Sequence, residues 1–153
     1  MLKEFETRLN EDGNTYLYEI AEYPCKEDFT GPKKIYEMMC ENFQLDHMAE
    51  EYLYALAMNA KGKPIAILQI SHGSVNSSIC NPREILVRML LAGATTFALI
   101  HNHPSGDPMP SSLDVEASRR VLKASNLVGI EMSDHIIIGR NKYISLREEH
   151  LLN

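Results

Sequence analysis

The chain has 153 residues, of which 44% are hydrophobic and 24% charged, a composition typical of one compact globular domain. Its formal net charge of −6 disfavours nonspecific DNA binding, which depends on many lysine and arginine contacts to phosphate. No apolar run approaches a membrane span and the first residues lack the apolar core of a signal peptide, so we expect a cytoplasmic protein without membrane partners.

The first part of the chain is predicted to contain one strand and one helix. Residues 15–20 are typical of a strand between turn-forming residues. A Gly-Pro pair then precedes a helix over residues 33–43, whose apolar side chains recur on one side. We interpret residues 1–45 as an N-terminal extension and residues 46–153 as the main domain.

The main domain is predicted to begin with two strands, residues 52–58 and 65–70, joined by a turn. A helix follows, and its ends are marked by local signals. Asn81 suits the N-cap, Pro82 suits the first helical position, and Gly93 suits the C-terminal end.

The second half of the main domain is predicted to add a central strand over residues 95–100. After a loop rich in Gly and Pro, either Ser111 or Ser112 can cap the next helix. Residues 135–139 and 143–146 are typical of a closing hairpin. Strands interleaved with helices favour an α/β fold with a mixed sheet flanked by helices.

The segment that carries chemistry starts with His101 and His103, at the end of the strand predicted over residues 95–100. Side chains of a strand alternate with period two, so both imidazoles point to one side and can reach one ion. The loop then returns the chain so that Asp114, in the first helical turn, can face the two histidines. Two nitrogens and one oxygen favour a catalytic zinc site, which keeps a fourth position for water.

Each half of this pattern also has a simpler interpretation. His101 and His103 could be polar residues that end a strand, and Ser111 with Asp114 could form only a helix capping box. The histidine pair, the stiff loop and the downstream acid together favour the metal site. A cap at Ser111 is compatible with that site because a serine can cap the helix while a hydroxyl faces the metal.

The same segment resembles a known metal motif. Residues 101–114 read HNHPSGDPMPSSLD and match H-x-H-x7-S-x-x-D, the JAMM motif of JAB/MPN (MPN+) domains. The HNHPSGDP stretch, NPREI at 81–85 and SDHIIIG at 133–139 resemble the RadC branch, long labelled as DNA-repair proteins. The resemblance covers about residues 46–149. It implies the layered JAB/MPN architecture, which is similar to that of cytidine deaminases.

The resemblance also implies roles for individual residues. His101, His103 and Asp114 match the ligands of one zinc ion per chain. Ser111 matches the serine that stabilises the developing oxyanion in the peptidase mechanism of the family. The nearest alternative catalytic chemistry, that of zinc deaminases, needs a C-x-x-C pair that this sequence lacks.

The catalytic glutamate of the family precedes the first strand of the domain, and two adjacent residues compete for that position. Glu51 begins the stretch EYLYALAM, which is similar to the family pattern E-x-F-x-V-L-x-L. Glu50 would point to the opposite face of an extended chain. Glu51 is therefore the predicted general base.

These roles predict a zinc-dependent hydrolase, a metalloprotease that cleaves a peptide or isopeptide bond with a water that zinc activates. The alternative is a DNA-repair-associated accessory protein in which the metal is structural and no bond is cleaved. Longer RadC proteins carry an N-terminal helix-hairpin-helix segment, and residues 1–45 are expected to be too few for it. A protein or peptide substrate is expected, nucleic acid is not favoured by the charge, and the oligomeric state stays open.

Overall fold

The structure, a computed structural model, describes residues 1–25, 28–73 and 80–153. These residues form a seven-stranded sheet and three α-helices. The strands are β1 (Leu2–Leu9), β2 (Thr15–Tyr23), β3 (Glu51–Met58), β4 (Pro64–Gly73), β5 (Thr96–Asn102), β6 (Glu131–Ile138) and β7 (Tyr143–Ser145). The helices are α1 (Pro32–Phe43), α2 (Pro82–Ala92) and α3 (Ser112–Val128), and a short 3-10 helix (Leu45–His47) follows α1.

The sheet is mixed, as the sequence predicted. Its strand order is β2-β1-β4-β3-β5-β6-β7, in which β1 runs parallel to β4 and β5 parallel to β6, while the other neighbours are antiparallel. Helices α2 and α3 pack on one face of the sheet and α1 packs on the other. The predicted α/β fold is therefore confirmed.

Both faces of the central strand β3 are buried, because each is covered by helices. Leu53 and Ala55 face α2 and α3, whereas Tyr54 and Leu56 face α1. This two-sided burial explains why β3 is an almost continuous apolar run. Each side chain of β3 therefore points toward one of these two helix layers, and this placement positions the site described below.

The N-terminal segment contains one strand more than predicted. Strand β1 pairs with β2 along its length and with β4 at Glu4 and Phe5, so the segment extends the sheet. The prediction of one strand and one helix was wrong because β1 is rich in charged residues. Two of them are stabilised by specific contacts: Lys3 binds Glu19 at 3.0 Å, and the buried Glu4 accepts a hydrogen bond from Tyr23. The division of the chain at residue 45 stays a prediction.

Local signals at the helix ends were predicted correctly. The Asn81 side chain accepts a hydrogen bond from the Arg83 N–H at 3.1 Å, and α2 ends at Gly93 with a left-handed φ of 70°. The cap of α3 is Ser111, which decides between the two serines considered above. No helix within the described residues is long and apolar enough to cross a membrane.

Candidate metal centre

The ends of β3 and β5 place the candidate residues on one face of the sheet. Leu53 of β3 pairs with His101 of β5, and the two strands are antiparallel. Continuing this register by two residues sets Glu51, the first residue of β3, opposite His103. Since side chains alternate, Glu51 and His101 both point toward the layer of α2 and α3. Both are buried, with 4% and 1% of their surface exposed.

Four side chains converge at this position. The Nε2 atoms of His101 and His103 lie 3.1 Å apart. The Asp114 carboxylate approaches them at 3.7 and 3.3 Å, respectively. Glu51 Oε1 lies 3.7 Å from His103 Nε2. The structure therefore brings the three predicted ligands and the predicted base together.

The two imidazoles present the same ring nitrogen, Nε2, to the space between them. The Nδ1 atom of His103 lies 2.9 Å from the carbonyl oxygen of Asp107, to which it donates. The Nδ1 atom of His101 lies 2.6 Å from Nε2 of His135. Each ring thus uses Nδ1 for a contact inside the protein and directs Nε2 into the shared space. Histidines that bind metals are usually oriented in this way.

The loop after β5 is held close to the sheet by a glycine. A Cβ atom on Gly139, the residue after β6, would overlap the carbonyl oxygen of Gly106 and the ring of Pro108. The Arg140 N–H also donates to the Gly106 carbonyl at 2.8 Å. The absence of a side chain at Gly139 lets this loop place the Asp107 carbonyl against the ring of His103.

The donor set fits a zinc ion. Ligand atoms of Glu51, His101 and His103 lie within 4.8 Å of one another, and the described residues contain no second such group. Ligands at about 2.0–2.2 Å from a tetrahedral zinc are separated by roughly 3.4 Å. The contacts of 3.1 to 3.7 Å match that separation, and two imidazoles with a carboxylate suit zinc chemically. The Asp114 carboxylate lies within 3.7 Å of both Nε2 atoms, whereas Glu51 lies that close only to Nε2 of His103, but the assignment of ligand and base stays a prediction.

Burial and charge act differently on the two carboxylates. Burial raises the pKa of Glu51, and the nearby His103 only partly opposes it. Burial would also raise the pKa of Asp114, but its hydrogen bond with His103 and its attraction to His101 outweigh burial and lower that pKa. Burial, together with the neighbouring His135, lowers the pKa of His101, so this imidazole is neutral at physiological pH. Glu51, whose ionisation is disfavoured, therefore lies near Asp114, whose ionisation is favoured.

Ser111 fixes the first turn of α3 and, with it, Asp114. The Ser111 Oγ accepts a hydrogen bond from the Asp114 N–H at 3.0 Å, and Asp114 Oδ2 accepts one from the Ser111 N–H at 2.9 Å. These two bonds form a capping box. The capping interpretation and the metal-site interpretation therefore apply to the same residues. The Ser111 hydroxyl accepts in this box and keeps its own proton to donate.

Glu50 and Glu51 point in opposite directions. The Glu50 side chain is 56% exposed and contacts His72 Nδ1 at 3.0 Å, on the far side of the strand from the histidine pair. His72 itself belongs to β4. The alternation that favoured Glu51 over Glu50 is thus present in the structure.

Sequence analysis missed Asn102, which lies between the two histidines on the opposite face of β5. Its side-chain amide accepts a hydrogen bond from the Tyr52 N–H at 2.7 Å and donates one to the Glu50 carbonyl at 2.9 Å. These two backbone groups flank Glu51, so Asn102 holds the start of β3 in place. The available signal was an amide between the two histidines, on the opposite face of the extended chain, because an amide buried there needs partners.

Replacing Asn102 with Ala is expected to lower the free energy of unfolding by about 1–3 kcal/mol for each backbone group left unpaired. Asn59 is a suitable control, since its side chain likewise bonds two backbone groups, in this case by accepting from two N–H groups, but in an exposed turn where water can replace it. Urea denaturation of both Ala variants measures the difference. A loss at Asn102 no larger than that at Asn59 would contradict the assigned role.

The chain is similar to known proteins over most of its length. The family model of the RadC-like JAB domain matches residues 29–151. A UPF0758 protein of Clostridium acetobutylicum is 46% identical over 123 residues, which are 80% of this chain and 53% of that protein. The UPF0758 protein YsxA of Bacillus subtilis is 42% identical over 105 residues, 69% of this chain and 46% of that protein.

A third relative, a UPF0758 protein of Geotalea uraniireducens, is 36% identical over 135 residues, 88% of this chain and 58% of that protein. The chain thus spans about half the length of the curated relatives it matches. The matched region includes α1 and all four residues of the candidate centre. On the family match and these identities, the chain belongs to the RadC-like JAB domain family.

Proposed function

We propose that this chain is a zinc-dependent hydrolase that cleaves an amide bond in a peptide or isopeptide. The observation that carries the proposal is the convergence of two imidazole Nε2 atoms, 3.1 Å apart, on a space shared with two carboxylates. If three of these four side chains hold the ion, the fourth, a buried carboxylate, is left to act on a water molecule at the centre, a role that a metal with only a structural function does not require. Membership of a family that includes metalloproteases supports the same conclusion.

In this proposal His101, His103 and Asp114 hold the ion. When bound, zinc supplies Lewis acidity, which polarises a carbonyl group and makes a water molecule more acidic. Asp114 suits a ligand because its carboxylate approaches both Nε2 atoms and is oriented by the capping box.

Glu51 is the proposed general base. Its carboxylate is buried beside His103, within reach of a water molecule at the centre. It would take a proton from the attacking water and return it to the leaving amine. Ser111 would donate its remaining hydroxyl proton to the oxygen on which negative charge develops.

Purified protein is expected to contain about one zinc ion per chain. Elemental analysis after exposure to zinc and removal of excess metal measures this content, and a protein carrying both His101→Ala and His103→Ala is the control. Failure of the folded wild-type protein to retain zinc would contradict the proposal.

The hydrolase and the accessory-protein alternative differ in what the zinc-loaded protein does. A peptide library and ubiquitin-like conjugates test for amide cleavage. Gel shifts on single-stranded and branched DNA at several salt concentrations test for nucleic-acid binding. DNA binding by zinc-loaded protein that cleaves no amide would favour the accessory protein with a structural metal.

A further inference from the structure

A series of buried hydrogen bonds connects the candidate metal centre to α3. The Nδ1 atom of His101 lies 2.6 Å from Nε2 of His135, and the Nδ1 atom of His135 contacts the Ser118 hydroxyl. Ser118 Oγ in turn donates to the backbone carbonyl of Asp114 at 2.8 Å. His135 and Ser118 are completely buried. We refer to His135 and Ser118 as the relay pair.

The carbonyl at the end of this series determines where each proton lies. A carbonyl oxygen can only accept, so the single hydroxyl proton of Ser118 is directed to Asp114. Ser118 Oγ must then accept from His135 Nδ1–H. A neutral imidazole carries one proton, so Nε2 of His135 is an acceptor. His101 consequently carries its proton on Nδ1, and its Nε2 has a free lone pair.

The opposite arrangement of protons along this series is less favourable, and it would leave the proton of His101 on Nε2. If Ser118 donated to His135, two oxygen atoms without a proton between them would face each other at 2.8 Å. Each histidine would then carry its proton on Nε2. For His101 that proton would occupy the atom that lies 3.1 Å from His103 Nε2 and faces the centre. A nitrogen that carries a proton cannot bind a metal.

His103 also carries a proton on Nδ1, but its hydrogen-bond partner is a different one. His103 donates from Nδ1 to the Asp107 carbonyl at 2.9 Å, so its Nε2 is also the atom available to the centre. His103 lies partly at the surface, where the carbonyl of a loop residue, Asp107, can accept the proton of its Nδ1. His101 lies on β5 between β3 and β6; within the described residues no backbone carbonyl is hydrogen-bonded to its Nδ1, and the ring of His135 supplies the acceptor.

We propose that His135 and Ser118 are positioning residues that hold His101 in the tautomer with its proton on Nδ1, leaving Nε2 free to bind the metal. The series also ends on the backbone of Asp114, so it links the orientation of one proposed ligand to the helical turn that carries another. The effect on metal affinity rests on the proposed function, whereas the tautomer of His101 does not.

The tautomer can be measured directly in zinc-free wild-type protein by ¹⁵N NMR of the imidazole nitrogens. The expected result is a protonated Nδ1 and an unprotonated Nε2 in both His101 and His135. A proton on Nε2 of His101 would overturn the proposal. This measurement needs no variant, so it does not depend on the folding of an altered protein.

Two matched variants test the consequence for the metal. Ser118→Ala removes the acceptor of His135 Nδ1–H, whereas Ser125→Ala removes a hydroxyl that is equally buried on α3 and donates to the Leu122 carbonyl at 2.9 Å. Competition with a chelator should show zinc affinity about 10–100-fold weaker for Ser118→Ala, as for other partners of metal ligands. Ser125→Ala should bind zinc like the wild type. Equal losses in the two variants would overturn the proposal.

Substitutions of His135 separate hydrogen bonding from packing. His135→Phe fills the space without an acceptor and should weaken zinc binding and shift the His101 tautomer. His135→Gln offers an acceptor oxygen and should restore part of both. Unchanged affinity and tautomer in His135→Phe would contradict the proposal. Wild-type protein that binds no zinc but shows the expected tautomer would contradict the proposed function and leave the relay pair supported.

Discussion

Replacing Glu51 with Gln is expected to abolish nearly all turnover while the protein keeps its zinc and its fold. Gln is similar in size to Glu and can still hydrogen-bond to water, but it cannot accept a proton. A general base contributes roughly 10²–10⁴ in rate, and the loss should fall in that range. The measurement is kcat on a substrate found in a peptide library or among ubiquitin-like conjugates, with zinc content and thermal unfolding measured on the same samples.

The adjacent residue provides a matched control for this experiment. Glu50 carries the same carboxylate one position earlier, but it is exposed and contacts His72 away from the centre. Glu50→Gln should therefore retain activity. Undiminished turnover in Glu51→Gln would contradict the mechanism, and a loss confined to Glu50→Gln would mean that the wrong carboxylate had been chosen.

Replacing Asp114 with Asn is expected to reduce zinc affinity by more than about 100-fold, beyond the usual effect of residues that contact only a ligand. A ligand bonds the ion directly, whereas a base contacts only the attacking water. Asn at this position can still accept the Ser111 N–H, so the capping of α3 is kept while the charge is removed. Competition with a chelator measures the affinity.

Glu51→Gln serves as the comparison for Asp114→Asn, because both variants exchange a carboxylate for an amide beside His103. Its zinc affinity should change far less. An equal or larger loss of zinc in Glu51→Gln would reverse the roles of the two residues. In that case Glu51 would be the third ligand, which the structure allows because Glu51, His101 and His103 present ligand atoms within 4.8 Å of one another.

Much of the fold followed from signals that act over a few residues. Asn81, Pro82 and Gly93 determined the ends of α2, because caps satisfy backbone groups within one helical turn. The apolar run before His101 identified the interior strand β5, which lies between β3 and β6 in the sheet. The same kind of reasoning failed for β1, a strand rich in charged residues whose pairing partners lie elsewhere in the chain.

The sequence by itself determined that His101 and His103 face one side, through the alternation of a strand, and that Ser111 and Asp114 form a helix start. Only the tertiary structure decided what surrounds them. Glu51 reaches the centre because β3 pairs with β5 in one register, and a shift by one residue would bring Glu50 there instead. His135 reaches His101 across 34 residues of sequence, through parallel pairing that includes a register shift between Phe97 and Ala98. Such contacts depend on how distant strands align, and no local pattern of residues specifies that alignment.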